Sequence, residues 1–292
     1  MSLMFVLRYG MRKAAKMLWR EGEHGWALTV VAGMCTIYVI RKVYQESRRR
    51  RLRKEWDGTG QDVVLLHQFR RGRFCPNLSP FALKVEAFLR LANIKYKIDE
   101  ETPFGPKGKC PWITINKEDI ADSEMVLDDL TERFSVQLDS QLEAREAAVV
   151  ESARVCVIAW RYWLDGCKTF LKTQTFDRFL RFVFPLFLKR GTKNRSKEQG
   201  LGVHSPEEIY QICKKDCNTL AGILGDRPFF GGENPCRADC GVFGQLAQLM
   251  WNAPGTRYEA LLTVDNPSLA LYCFRMKDKV FPDWDDLLAH PI

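Results

Sequence analysis

The side chains able to do chemistry in this sequence are thiols and hydroxyls at helix starts. Ten cysteines stand at positions 35, 75, 110, 156, 167, 213, 217, 236, 240 and 273, against four histidines. Cys75 follows Arg71 and Arg73 in a loop, and neighbouring guanidinium groups favour a thiolate, so it is a candidate nucleophile. Ser79-Pro80 has the form of a helix start, a capping hydroxyl followed by a residue with no N–H to leave unpaired. Asp122-Ser123 stands in the same way ahead of Val126, Leu127, Leu130 and Phe134. Cys213, Cys217, Cys236 and Cys240 form two C-x3-C pairs, a spacing that raises a zinc site. No histidine lies within that cluster, and Cys213 and Cys217 continue the apolar stripe of Ile209, Ile212, Leu220 and Leu224. They read as core thiols, and no metal is expected. The cysteines are spread through helices and strands, which fits free thiols in a reducing compartment.

These groups need elements to position them. Val63 to Leu66 and Phe69 predict a buried strand, followed by a loop from Arg70 to Leu78 and a helix through Phe81, Val85, Phe88 and Leu89. Ile94, Tyr96 and Ile98 alternate as a second strand. Trp112 to Ile115 and Glu118 to Ala121 predict a hairpin around Asn116-Lys117, and the helix from Ser123 follows. From about Leu142 onward the chain reads as helices. Ser205-Pro206-Glu207-Glu208 is a further start, with a serine cap and a glutamate three residues on.

The formal charge of +8 suggests nucleic acid until it is located. Residues 1–60 hold 13 basic against 5 acidic residues, and the other 232 residues balance at 31 of each. No nucleic-acid partner is therefore expected. Residues 1–24 predict a basic amphipathic segment, with Arg8, Arg12, Lys16 and Arg20 at steps of four. Gly25 to Ile40 is uncharged; as a helix it spans about 24 Å, against about 30 Å of hydrocarbon. Flanking Arg41, Lys42, Trp26 and Tyr44 extend it, so residues 25–44 are expected to form a single-pass transmembrane anchor, with 45–60 as a basic linker. The basic flanks place the large domain in the cytosol, at the mitochondrial outer membrane or the endoplasmic reticulum. Between Phe170 and Lys197, phenylalanines interleave with Arg178, Arg181, Lys189 and Arg190, a stretch suited to anionic lipid or to a buried helix with a solvated basic end.

The order strand, helix, strand, hairpin, helix, with Pro111 directly before the hairpin, resembles the thioredoxin-like domain of glutathione transferases. Gly225-Asp226-Arg227-Pro228-Phe229-Phe230-Gly231 and Ala238-Asp239-Cys240 resemble the loop and buried capping motif of their helical domain. More narrowly, the sequence resembles the failed axon connections family, relatives of metaxins and of cadmium-responsive proteins. The stretches that carry this are His67-Gln68-Phe69, Leu78-Ser79-Pro80-Phe81, Pro111-Trp112-Ile113, Glu207 to Asp226, Val242 to Gln248, and Trp251 through Pro254-Gly255-Thr256-Arg257. The resemblance implies an α/β plus all-α fold. A thioredoxin-like domain would occupy residues 61–136 and a helical domain residues 142–288.

The resemblance also implies a glutathione site. A cis bond before Pro111 would turn the Cys110 backbone toward a peptide, as an added strand would bind. Ser123 would receive a carboxylate at the helix start, and Asp122 would hold the ammonium group. Ser79 would stabilise the ligand thiolate, with Cys75 as rival nucleophile, and Asp239 would be a structural cap. Two departures stand against catalysis. Eleven residues between Asp99 and Pro111 leave little room for a second helix, and Cys236 replaces the usual capping hydroxyl. The expectation is an adaptor with little or no catalysis, concerned with axon development or organelle surfaces, with a protein partner and a homodimer left open. The alternative is a glutathione-dependent detoxification enzyme, a transferase or thiol reductase, including one that answers metal stress.

Overall fold

The computed structural model describes residues 25–138 and 203–289. The basic segment 1–24, the helices expected between residues 142 and 202, and the basic aromatic stretch lie outside the described residues. The chain divides between Gly58 and Thr59 into two compact units.

The first unit contains helix α1, Gly25–Asp57, of 33 residues. Its apolar side chains Val30, Met34, Ile37, Tyr38, Ile40 and Tyr44 are exposed. The expected transmembrane span is corrected here: among the described residues no helix is long and apolar enough to cross a membrane. The cause is the charge sequence. The apolar run meets Arg41 and Lys42, and the same helix continues through Arg48 to Arg51, so its charge-free length stays short of about 30 Å of hydrocarbon.

The second unit begins with β1 (Val64–His67), α2 (Pro80–Leu91), β2 (Tyr96–Asp99), β3 (Trp112–Ile115), β4 (Glu118–Ala121) and α3 (Ser123–Phe134). The strands lie in the order β2-β1-β3-β4. β1 runs parallel to β2 and antiparallel to β3, and β3 pairs antiparallel with β4. A parallel pair needs a crossover, and α2 supplies it. The hairpin closes through Asn116 and Lys117 at φ 48° and 72°, the left-handed pair that a two-residue turn requires. Val64, Leu66, Ile113 and Ile115 join Leu83, Phe88, Val126 and Leu127 in the core. Alternation then puts His67, Trp112 and Thr114 on the opposite face. This is the thioredoxin-like order.

The helical part comprises α4 (Pro206–Leu224), α5 (Arg237–Met250), α6 (Arg257–Ala260), α7 (Pro267–Val280) and α8 (Trp284–Leu287). A π-helical turn, Leu261–Asp265, lies between α6 and α7. Ser205 and Glu208 exchange both capping bonds at the start of α4, at 3.3 and 2.7 Å. Cys213 and Cys217 are fully buried on that helix. α5 is buried from Ala238 to Met250, including the polar Asp239, Gln245 and Gln248. It packs on α2 so closely that a Cβ at Gly244 would run into the Pro80 carbonyl oxygen. Arg90 of α2 adds a second tie, forking onto Asp283 at 2.5 and 3.0 Å beneath the Phe281 ring.

Candidate functional site

The Cys110–Pro111 bond is cis, immediately before β3. Ser79 caps α2 from across this edge: its Oγ accepts the Ala82 N–H at 3.3 Å, and its own N–H donates to Asn77 Oδ1 at 2.9 Å. Burial pushes the Cys110 thiol up to about 12, against the smaller opposing pull of the Phe69 backbone and the Ser79 hydroxyl. It is therefore a neutral thiol at physiological pH.

At the start of α3, Asp122 and Ser123 stand side by side. Asp122 is the cap, its Oδ1 accepting the Glu124 N–H at 3.1 Å, while Oδ2 lies 3.5 Å from Lys109 Nζ. Its φ of +92° is a strained value for a residue with a side chain. Ser123 follows as the first helical residue and is mostly buried. The loop from Glu100 to Cys110 forms turns and no helix. It folds onto Trp112, whose Nε1–H donates to the Thr102 carbonyl at 2.9 Å, and a Cβ at Gly105 would strike that indole ring.

Cys75 is tied to the loop before Ser79 through Gln248, whose Nε2 also donates to the Asn77 carbonyl at 3.1 Å. It is fully buried, with Gln248 Nε2 of α5 3.9 Å from its sulfur. Arg71, expected to favour its thiolate, instead forks onto the fully buried Glu86 at 2.7 and 2.8 Å. Glu86 also accepts the Tyr96 hydroxyl at 3.1 Å. A guanidinium held bidentately by a buried carboxylate is committed to that partner. Asp239 is the buried cap, accepting N–H bonds from Phe230, Gly231 and Cys236 at 2.8, 3.0 and 2.8 Å.

Two polar arrangements have no sequence signal of their own. His67, fully buried, lies 2.6 Å from Asp99 Oδ2 through Nδ1 and 3.0 Å from Thr114 Oγ1 through Nε2. Thr114 in turn donates to Asp119 at 2.9 Å, so the chain crosses all four strands, and His67 stacks on Trp112 at 3.5 Å. Next to Ser123, Glu124 pairs with the buried Lys84 of α2 and, at 3.2 Å, with Arg237 of α5. Arg237 also reaches Asp128 at 2.6 Å.

The family models that match are the glutathione S-transferase N-terminal domain over residues 80–176 and the C-terminal domain over residues 213–276. Failed axon connections of Drosophila melanogaster is 35% identical over 254 residues, 78% of this chain and 60% of that protein. The chain belongs with failed axon connections in the metaxin-like, glutathione transferase-like superfamily. Metaxin-2 of Mus musculus is 22% identical over 239 residues, covering 77% of this chain and 90% of the relative. A glutathione transferase of Phanerochaete chrysosporium superposes with a TM-score of 0.54 at 13% identity, over 76% of this chain and 99% of that one. A Ceriporiopsis subvermispora glutathione S-transferase, solved in complex with glutathione, gives 0.53 at 15%, over 74% and 97%. At these identities the superpositions establish the fold, a thioredoxin-like sheet followed by a helical domain. In this chain Asp122 and Ser123 share one helix start, and Cys75 is fully buried.

Proposed function

We propose that this chain is an adaptor on a glutathione transferase-like fold, with a glutathione-sized peptide edge and little or no catalysis. The carrying observation is the loop Glu100–Cys110, which holds no helix where one would border a bound peptide. A thiolate at Ser79 would stand open to water and lose the low-dielectric stabilisation on which its activation depends. Conjugation of glutathione to a general electrophile should proceed within about twofold of the uncatalysed background, with no further change in Ser79→Ala or Cys75→Ala. A rate well above background that falls only in Ser79→Ala would overturn the adaptor assignment.

A glutathione-dependent detoxification enzyme is favoured by one feature, the cis Cys110–Pro111 edge standing with the Ser123 helix start. A rate that falls only in Cys75→Ala would favour the thiol reductase within this class. Likeness to failed axon connections supports a place in axon development. The exposed apolar side chains of α1, beside Arg41 and Lys42, support work at a membrane surface, the mitochondrial outer membrane or the endoplasmic reticulum. Full-length protein should float with anionic vesicles, and Ile37→Glu with Ile40→Glu should abolish flotation. Equal flotation of both proteins would remove α1 from that role.

A further inference from the structure

The hydrogen bonds around the buried His67 ring decide where its protons lie. A threonine hydroxyl has one proton to give. Thr114 gives it to Asp119 Oδ1 at 2.9 Å, so the same oxygen can only accept from His67 Nε2, 3.0 Å away. Nε2 therefore carries a proton. On the other side of the ring Nδ1 lies 2.6 Å from Asp99 Oδ2, while Asp99 Oδ1 accepts the Glu101 N–H at 2.9 Å. Burial pushes the Asp99 carboxyl up, but the bonds from His67 and Glu101 outweigh it, so it stands as an ionised acceptor. Nδ1 must then donate as well. Two ring protons make an imidazolium, fully buried and stacked on the Trp112 indole at 3.5 Å with 5° between the planes. A carboxylate in direct contact, a second one hydroxyl away and an aromatic face compensate a buried cation.

Asp99 of β2 and Asp119 of β4 are the charged side chains that face this ring; β1 and β3 add none beside it. Lys97, on the same face, reaches the Thr59 carbonyl at 3.5 Å. In the loop packed over Trp112, Glu100 accepts the Arg71 N–H at 3.2 Å, Glu101 is exposed, Lys107 reaches the Ala121 carbonyl at 3.2 Å and Lys109 lies 3.5 Å from Asp122. The partners of the ring converge on that loop. Asp99 ends β2, and its carboxylate holds the Glu101 N–H. Trp112, the residue after the cis proline, donates to the Thr102 carbonyl at 2.9 Å and lies against Gly105.

We infer that His67 is a positioning residue for the cleft: as an imidazolium it ties the end of β2, and with it the Glu100–Cys110 loop, to the Pro111–Trp112 edge. A neutral ring has one N–H and must face either Asp99 or Thr114 with a lone pair opposed to a lone pair. Giving up Asp99 frees the start of the loop. Giving up Thr114 breaks the chain that crosses the sheet. The inference goes beyond the proposed peptide edge and holds whether or not a peptide binds there.

The test uses the full chain labelled with 15N in histidine, with His67→Gln to assign the ring. At pH 7.5, where an exposed histidine is mostly neutral, both His67 ring nitrogens should resonate as protonated. Asp99→Asn keeps an oxygen to accept the Glu101 N–H but removes the charge, and one His67 nitrogen should then lose its proton. At the same pH, hydrogen exchange of the amides from Glu101 to Cys110 should quicken at least tenfold in Asp99→Asn, with α5 and α7 unchanged. An unprotonated His67 nitrogen in the wild type would overturn the inference, as would unchanged loop exchange beside a neutral ring in Asp99→Asn. If α5 also loses protection in Asp99→Asn, wild-type protein at rising pH replaces it. Loop exchange, corrected for its intrinsic pH dependence, should then quicken over the range in which the ring gives up its second proton. Quickening while the ring keeps both protons, or none once it has lost one, would overturn the inference.

Discussion

At the scale of single residues, the groups that hold the fold and those that face a ligand follow different rules. Asp239 takes three backbone N–H groups that the start of α5 and the Phe230 loop would otherwise leave buried and unpaired. Asp239→Ala should therefore cost about 3–5 kcal/mol, read as a lowered urea midpoint with unchanged slope. A change below about 1 kcal/mol would show that water replaces the carboxylate at those donors. Asp239 was legible in the sequence because Gly225 to Gly231 and Ala238-Asp239-Cys240 resemble the loop and capping motif of the transferase helical domain. Ser79 was legible as a cap from the hydroxyl-then-proline form of Ser79-Pro80. The burial of Cys75 and the pairing of Arg71 were not, because nothing near them in sequence announces that Arg71 will meet Glu86 fifteen residues later.

At the scale of elements, hydrophobic period and turn chemistry recovered β3, β4, α2, α3 and the start of α4, since each carries its own start and stop signals. The polar chain from Asp99 through His67 and Thr114 to Asp119 needed strand register, which sets Thr114 opposite Asp119 and His67 opposite Asp99. A buried lysine such as Lys84 reads in sequence like any solvated helix lysine, and only the approach of α3 and α5 shows otherwise. The contact of Arg90 with Asp283 joins α2 to the segment before α8, and its pH behaviour is fixed by sign. The Arg90 hydrogen bond, against burial, holds the Asp283 carboxyl below its ordinary value of 3.8. Burial pushes Asp99 the other way, but the His67 bond and the Glu101 N–H outweigh it, so that carboxyl is lowered as well. Both contributions are complete above the unfolded value and fade as pH falls through the folded one. Stability should therefore decline as pH drops toward 3.8 and go on declining below it. Asp283→Asn should be less stable than wild type at pH 7, with a shallower decline in acid. Urea midpoints between pH 3 and 7 check this, and parallel curves for the two proteins would remove Asp283 from the account.

At the scale of the whole molecule, the fold is that of the glutathione transferase-like superfamily, while the loop Glu100–Cys110 holds no helix. The fold could be recognised in the sequence because it depends on long apolar patterns and on motifs such as Gly225 to Gly231. The anchor misled, because composition alone does not show that α1 continues from its apolar run into arginines as one helix. The central claim is a peptide edge that survives without turnover, and calorimetry of glutathione on the full chain tests it most directly. The predicted result is weak binding, with a dissociation constant of about 1 mM, lost in both Ser123→Ala and Asp122→Ala while each variant keeps the wild-type circular dichroism. No heat at millimolar glutathione, or heat unchanged in both variants, would contradict it.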